Sequence, residues 1–376
     1  MNQASILLIH HQGGGGISQF INNWTKQYTG DVYEAFVDTG GLQFQRPNQP
    51  SETVSYDSLI ERIRTYRIKE VHIHHFWNIQ LPSLVHILKE LDCPYTVWLH
   101  DFYTICPYVF FVNQKGRYCG RPKQEAVCDR CASSGARHSQ MKQMLNVVDP
   151  TINKWRTVFQ QLLAEAKQVI SPSESTKAII HEYFPTIKME VVPHPLFLNL
   201  KIEEPKQPIH QPLRIAFIGN IFYHKGEKEV KSLVTQSFVT KLPCLFYLYG
   251  ESGRDLKRLN VKNFVQRGSY SSSEHLHTLL TEDKIDFVII PSICPETFSY
   301  TTHESLYLGF PVLCFDLGAQ SEIVQKTNGG WVVKAGDSKA MYFKVSHLIS
   351  HTDEIYQKKT NAYRYHIEMV KSRNDH

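Results

Sequence analysis

PSICPETFSYTTHESLYLGFPVLCFDLG, residues 291–318, decides how the rest of the chain is read. DFVIIPS (286–292) and PVLCFD (311–316) are short, apolar and rich in β-branched residues, whereas ESLYLG (304–309) has helical spacing and stops at Gly309. The pattern is strand, turn, helix, strand, which is one βαβ unit of a parallel sheet. In open parallel sheets ligands sit beyond the carboxyl ends of the strands, the place taken here by Glu296, Thr297, Phe298 and Ser299. Amides opening the following helix would face an anion such as a phosphate. Two carboxylates, Glu296 and Glu304, flank the turn with seven residues between them.

Outward from this stretch the same alternation continues. LRIAFIGN (213–220), CLFYLYG (244–250), FVQRG (264–268) and GWVV (330–333) are further strands separated by helical segments. IGNIFYHKGEKEV (218–230) ends its strand at Gly219 and Asn220 and presents Lys225 and Gly226 just before a helix, where the ammonium can reach a diphosphate as a point charge. NLKIEEPKQPIHQP (199–212), rich in charge and proline, marks an interdomain linker. Before it lies a second series of strands: SILLIH, VYEAFVD, EVHIHHF, PYTVWLH, KQVISPS and MEVVPH. The expectation is therefore an α/β protein of two doubly wound domains facing a ligand cleft.

The first strand runs into HQGGGGISQF, where Gly13 to Gly16 allow a sharp turn and close approach to a ligand. They do not fit the G-x-G-x-x-G dinucleotide register. His72, His74 and His75 close one strand, but alternating faces prevent all three from aiming at one point, so a supporting role is expected. His100, followed by Asp101 at the end of TVWL, is the better candidate. Cys106, Cys119, Cys128 and Cys131 form C-x12-C-x8-C-x2-C in a long, weakly periodic insert. Four thiolates suit a closed structural zinc site, with an iron–sulfur cluster as the alternative, and neither leaves an open position for metal catalysis.

The chain of 376 residues carries a net charge of +5, with 42% hydrophobic and 20% charged residues, as in an ordinary globular protein. Between Lys115 and Lys142 seven Lys or Arg stand against Glu125 and Asp129, a patch that suits acidic lipid headgroups or phosphorylated carriers. Nucleic acid is not expected as a partner, although Tyr108, Phe110, Phe111 and Tyr118 are interleaved with the basic residues. SILLIH is too short for a secretory signal and nothing approaches a membrane span, so the expected location is the cytoplasm, with peripheral association at the inner face of the membrane.

Together these motifs resemble the group 1, or family 4, glycosyltransferases of GT-B architecture. The likeness rests on Gly13–Gly16, His100, GN-x4-KG at 219–226, YGESG at 249–253, PETFSYTTHE at 295–304, and GFPVLCFDLGAQSEIV with NGGWVV downstream. The Cys-rich insert resembles one in bacterial members that build surface polysaccharides. The resemblance implies a Rossmann-like acceptor domain at 1–197 with the insert at about 103–142, a Rossmann-like donor domain at 198–350, and a helix at 351–376 packing back on the first. It implies a retaining hexosyl- or glycosyltransferase using a UDP, GDP or dTDP sugar without a catalytic divalent metal, acting on a lipid-linked, saccharide or protein acceptor. Glu304 would hold the ribose, Lys225 the diphosphate, and Glu296 with Thr297, Phe298 and Ser299 the donor sugar. His100 would stand near the reacting centre, Gly15 and Gly16 would close over the phosphates, and Asn220 and Gly268, with Arg267 and Ser269 beside it, would line the donor site. Two departures stand out: Asn220 replaces a customary arginine, and E-T-F-S replaces E-G-F-G. They motivate an alternative, an inactive glycosyltransferase-like subunit that binds a partner or acceptor through the insert.

Overall fold

The structure, a computed structural model, describes residues 4–196, 198–205 and 209–374. Phe197 at the expected domain boundary, residues 206–208 of the expected linker, and both chain ends lie outside them. Eight strands among the described residues form one sheet: β1 (Ile6–Ile9), β2 (Val32–Asp38), β3 (Gly41–Gln45), β4 (Glu52–Thr53), β5 (Glu70–Ile73), β6 (Tyr95–Trp98), β7 (Gln168–Ser171) and β8 (Glu190–Val191). Their order is β4-β3-β2-β1-β5-β6-β7-β8. From β2 to β8 every pairing is parallel, while β3 runs antiparallel to β2 and β4 antiparallel to β3.

This antiparallel edge was not anticipated. Leu42 and Phe44 alternate inward with Gln43 between them, a pattern too short to announce a strand, and Gln43 is itself buried and bonded to Asp38 and Thr53. Expected strands at EVHIHHF and PYTVWLH stop earlier, at Ile73 and Trp98, so that His74, His75, His100 and Asp101 stand beyond the sheet.

The second sheet contains β9 (Leu213–Ile218), β10 (Cys244–Tyr249), β11 (Phe264–Gly268), β12 (Phe287–Ile290), β13 (Val312–Phe315) and β14 (Gly330–Val333), in the order β11-β10-β9-β12-β13-β14. All of its pairings are parallel. Helices cover a parallel sheet on both faces, which is why β12 and β13 read as unbroken apolar runs and are buried along their whole length. Burying side chains of this size contributes on the order of 1.5–3 kcal/mol each.

Two compact units follow from the contacts, with the boundary between Pro195 and Leu196; Lys115–Tyr118 group with the second unit. The helix Thr352–Asn374 belongs to the second unit, where Ala362 and Tyr365 join its core and His366 Nδ1 bonds the Tyr307 carbonyl at 2.9 Å. Within each sheet the strand order reverses once, beside β1 in the first and beside β9 in the second. A reversal of this kind leaves a crevice at the carboxyl ends of the two strands that diverge there, β1 and β5 or β9 and β12.

Candidate active site

In the second unit, the loop leaving β9 and the loop leaving β12 meet at that crevice. Residues Tyr223–Lys225 form one turn of 3₁₀ helix, closed by Gly226 with φ 84°. A side chain at Gly226 would place its Cβ 2.0 Å from the Pro291 carbonyl oxygen, so the two loops are in backbone contact. That contact brings Lys225 Nζ to 2.8 Å from Glu296 Oε1. Ser292 Oγ donates to the same carboxylate oxygen. Burial pushes the Glu296 carboxyl up, but Lys225 and hydrogen bonds from Ser292 and Ser299 outweigh it, leaving the group below its ordinary range and ionised.

The backbone of Glu296 is fixed from a third direction. Gly318, with φ 54°, lies against it, and a Cβ there would come within 2.6 Å of both Glu296 N and O. Ala319 N donates to the Glu296 carbonyl at 2.8 Å, while Glu296 N donates to Gln320 Oε1 at 3.0 Å. The fully buried Gln320 also donates to the Cys294 carbonyl. The helix Gly318–Thr327 after β13 thus holds the turn by its first residues, a role readable only once β12 and β13 are known to be neighbours.

Glu304 sits one turn into the helix Tyr300–Tyr307 and behaves oppositely. Burial pushes its carboxyl above the ordinary range, hydrogen bonds from Ser273 and Tyr270 pull the other way, and the Glu274 charge adds to the rise. Ser273 is in place because Ser272 caps its helix, accepting from His275 N at 3.2 Å. Neither Ser273 nor Tyr270 is signalled by the E-x7-E spacing.

Between the two carboxylates, Thr297 and Phe298 are buried, and Ser299 caps the helix at φ 64°, ψ 70°. A left-handed serine is strained where glycine would not be. Its hydroxyl pairs with that of Thr302 at 2.7 Å, and Phe298 stacks on His303 with ring centroids 4.2 Å apart. These contacts hold the strained turn. Asn220 Oδ1 accepts from Glu251 N at 3.1 Å, so its amide serves the backbone of the adjoining loop. Gly268 ends β11 at φ 78° with open space where a side chain would stand. Arg267 is tied to Asp283, which also accepts from Tyr249 OH, and Ser269 Oγ donates to Glu251.

In the first unit, the glycine loop and the histidines gather at the ends of β1, β5 and β6. Gly14 and Gly15 both have positive φ with nothing within 4 Å of a notional Cβ, so the loop is open on its outer side. The helix Gly15–Thr25 starts there, with Gly16 in its first turn. Trp77 N donates to His75 Nδ1 at 2.9 Å, so the neutral His75 ring carries its proton on Nε2, which donates to Asp101 Oδ2 at 2.8 Å. His10 pairs with Glu34 at 2.8 Å. Burial and the neighbouring His75 lower the His11 pKa to about 4. His100 has both ring nitrogens committed, to His74 and to His194. The alternation expected of His72, His74 and His75 holds: His72 and His74 share the face of Trp98, whereas His75 turns to Asp101.

The expected sulfur-ligated metal site is not found among the described residues. Cys106, Cys119, Cys128 and Cys131 are partly buried free thiols, and among the described residues no three His, Cys, Asp or Glu side chains are arranged to hold a metal ion. The thiols are neighbours: burial pushes Cys106 up to about 12, with the other three cysteines adding to the rise. Other contacts order the insert. It folds into the helices Glu125–Ala132 and Gly135–Leu145; Arg156 reaches the Cys128 sulfur at 3.5 Å, and the Cys131 carbonyl accepts from Tyr108 and Gln114.

Residues 212–351, from the start of β9 through the helix Ser338–Ser350, match the family model of the group 1 glycosyl transferases. No curated protein sequence matches the chain. Among solved structures, a glycosyltransferase from Rickettsia africae ESF-5 superposes with a TM-score of 0.65 at 15% identity, covering 100% of this chain and 98% of that one. Sucrose-phosphate synthase from Thermosynechococcus elongatus gives 0.63 at 13% identity, covering 98% and 95%. HepE of Anabaena in complex with UDP gives 0.61 at 12% identity, covering both chains completely. The fold is that of the GT-B glycosyltransferases.

Two outcomes follow for stability. Glu304 has its folded pKa raised above the unfolded value, so ionised Glu304 opposes folding at neutral pH and the penalty fades as pH falls. Glu304→Gln should therefore raise the melting temperature at pH 7–8, with the gain vanishing below about pH 4; a difference independent of pH would refute the assignment. Gly318→Ala should destabilise the second unit by about 1–3 kcal/mol, read by denaturant titration, because its Cβ meets the Glu296 backbone.

Proposed function

We propose that the chain is a glycosyltransferase that moves a sugar from a nucleoside diphosphate sugar to an acceptor with retention of configuration, without a divalent metal in the chemistry. The observation that carries this reading is the Lys225–Glu296 pair, held where the β9 and β12 loops meet, inside the segment that matches the group 1 glycosyl transferases. The UDP and UDP-glucose bound by HepE support a nucleotide-sugar donor, UDP standing first among UDP, GDP and dTDP.

On this reading Lys225 meets the diphosphate, and the amides opening the helix Tyr300–Tyr307 add their dipoles. Glu304, ordered by Ser273 and Tyr270, accepts from the ribose hydroxyls. Glu296 and the backbone of Thr297, Phe298 and Ser299 bind hydroxyls of the donor sugar. Departure of the diphosphate is the step that needs charge stabilised, and a prearranged cation with oriented amides supplies that without reorganisation. Gly15 and Gly16 close over the phosphates of the donor, and His100 stands near the reacting centre from the acceptor side. Glu296 and Glu304 are not an acid and nucleophile pair, because each is engaged by its own hydroxyl donors on one donor-binding turn.

The proposed setting is assembly of a surface polysaccharide or glycoconjugate on a lipid-linked, saccharide or protein acceptor, at the inner face of the membrane. Among the described residues no helix is long and apolar enough to cross a membrane. The basic residues from Lys115 to Lys142 favour an acidic surface instead.

One observation favours the second reading, an inactive subunit: Asn220 supplies no cation and spends its amide on Glu251. Sugar transfer by the isolated chain excludes it. Calorimetric titration with UDP, GDP, ADP and dTDP tests the first reading, and binding of none of them overturns it. Lys225→Ala and Glu304→Ala should each weaken the preferred nucleotide by about ten-fold or more, the loss of one charge-assisted contact.

A further inference from the structure

Three buried imidazoles in the first unit form a continuous hydrogen-bonded chain. His74 Nδ1 lies 2.9 Å from His100 Nε2, and His100 Nδ1 lies 3.1 Å from His194 Nε2. The three rings, which follow β5, β6 and β8, are only 2%, 9% and 7% exposed. Phe20 packs against all of them, and Trp98 stacks on His74 and His100 at 19° and 5°. Phe20 lies in the helix that begins at the glycine loop, so the same element shapes the loop and clamps the rings.

A neutral imidazole has one N–H and one lone pair. Both links can then be made only if the three rings run in the same sense. In one sense His74 donates to His100 and His100 to His194; in the other every proton sits on the opposite nitrogen. A doubly protonated His100 would also satisfy both links. Burial disfavours it, as do the imidazoles of His194, His74, His75 and His11 around it; for His74 the neighbours are His72, His10 and His194. The acids of the cluster, Asp101 and Glu34, are bound to His75 and His10.

We propose that His74, His100 and His194 act as one tautomeric unit, in which His74 and His194 are positioning residues that decide which nitrogen of His100 carries the proton. A hydroxyl replacing one neighbour of His100 then meets a donor or an acceptor according to the sense of the chain. The coupling stands on the geometry alone, and its effect on turnover rests on the proposed glycosyl transfer.

Ring ¹⁵N spectra of histidine-labelled full-length protein test it. The expected result is three neutral rings between about pH 5.5 and 8, with nitrogen–nitrogen couplings across both links and one common sense. His194→Phe should shift the ring nitrogens of His74, two links away, as well as those of His100. His194→Gln, which keeps a polar partner for His100, should return the His74 shifts toward wild type. Turnover should fall about ten-fold or more in His194→Phe and recover partly in His194→Gln. Unchanged His74 shifts in His194→Phe, or one ring titrating alone near pH 6.5, overturn the proposal. If that variant does not fold, absence of either coupling in the wild type does so. Coupled shifts in a wild-type chain that transfers no sugar uphold the tautomeric unit and remove the transferase reading.

Discussion

The parallel pairing of β9 with β12 is the constraint on which the second unit's site depends. Phe287, Val288 and Ile289 pair with Ile215, Ala216 and Phe217, all of them fully buried, so the register is fixed by burial on both faces. Because strand order reverses here, the two loops leaving these strands have no intervening strand to separate them. Their backbones touch at Gly226 and Pro291, and the same junction brings a lysine to a glutamate 71 positions away in sequence. Site geometry and core packing are therefore one problem in this unit.

The consequence is electrostatic. Two carboxylates on one turn and its helix sit in environments that push them in opposite directions, Glu296 toward ionisation by an ammonium and Glu304 toward neutrality by burial. Separation of this kind usually accompanies a division of roles. The first unit solves a comparable problem without strong charge. Its histidines hydrogen-bond one another, and among the described pairs of this unit only His10 and His75 contact carboxylates at hydrogen-bonding distance. Burial lowers the pKa of His11, His72, His74 and His100 and so favours their neutral forms.

How far the sequence could be read depended on whether a feature was local. The βαβ unit at 286–316 was legible because apolar runs, a helical segment and a stopping glycine are all written within 31 residues. The period-2 alternation of His72, His74 and His75 was legible for the same reason. Ser273, Tyr270 and Gln320 were not, because each acts on the turn across the fold, and a polar residue near a helix start has many ordinary uses. His194 was hidden inside a proline-rich strand end. The cysteines differ again: spacing suggested a closed metal site, which is not found among the described residues, while the insert is ordered by two helices and by Arg156.

The departures at Asn220 and Ser299 acquire a physical meaning when combined. With Asn220 Oδ1 accepting from Glu251 N, Asn220 adds no charge here, and the Lys225 cation is already paired with Glu296. On the proposed reading, a diphosphate that drew Lys225 away would leave Glu296 ionised, little exposed and deprived of its main partner, which is costly. On that reading, hydroxyls of the donor sugar placed at Glu296 relieve that cost. Ser299, held in a left-handed conformation with its hydroxyl on Thr302 and Glu296, keeps the carboxylate aimed at one place while the exchange occurs.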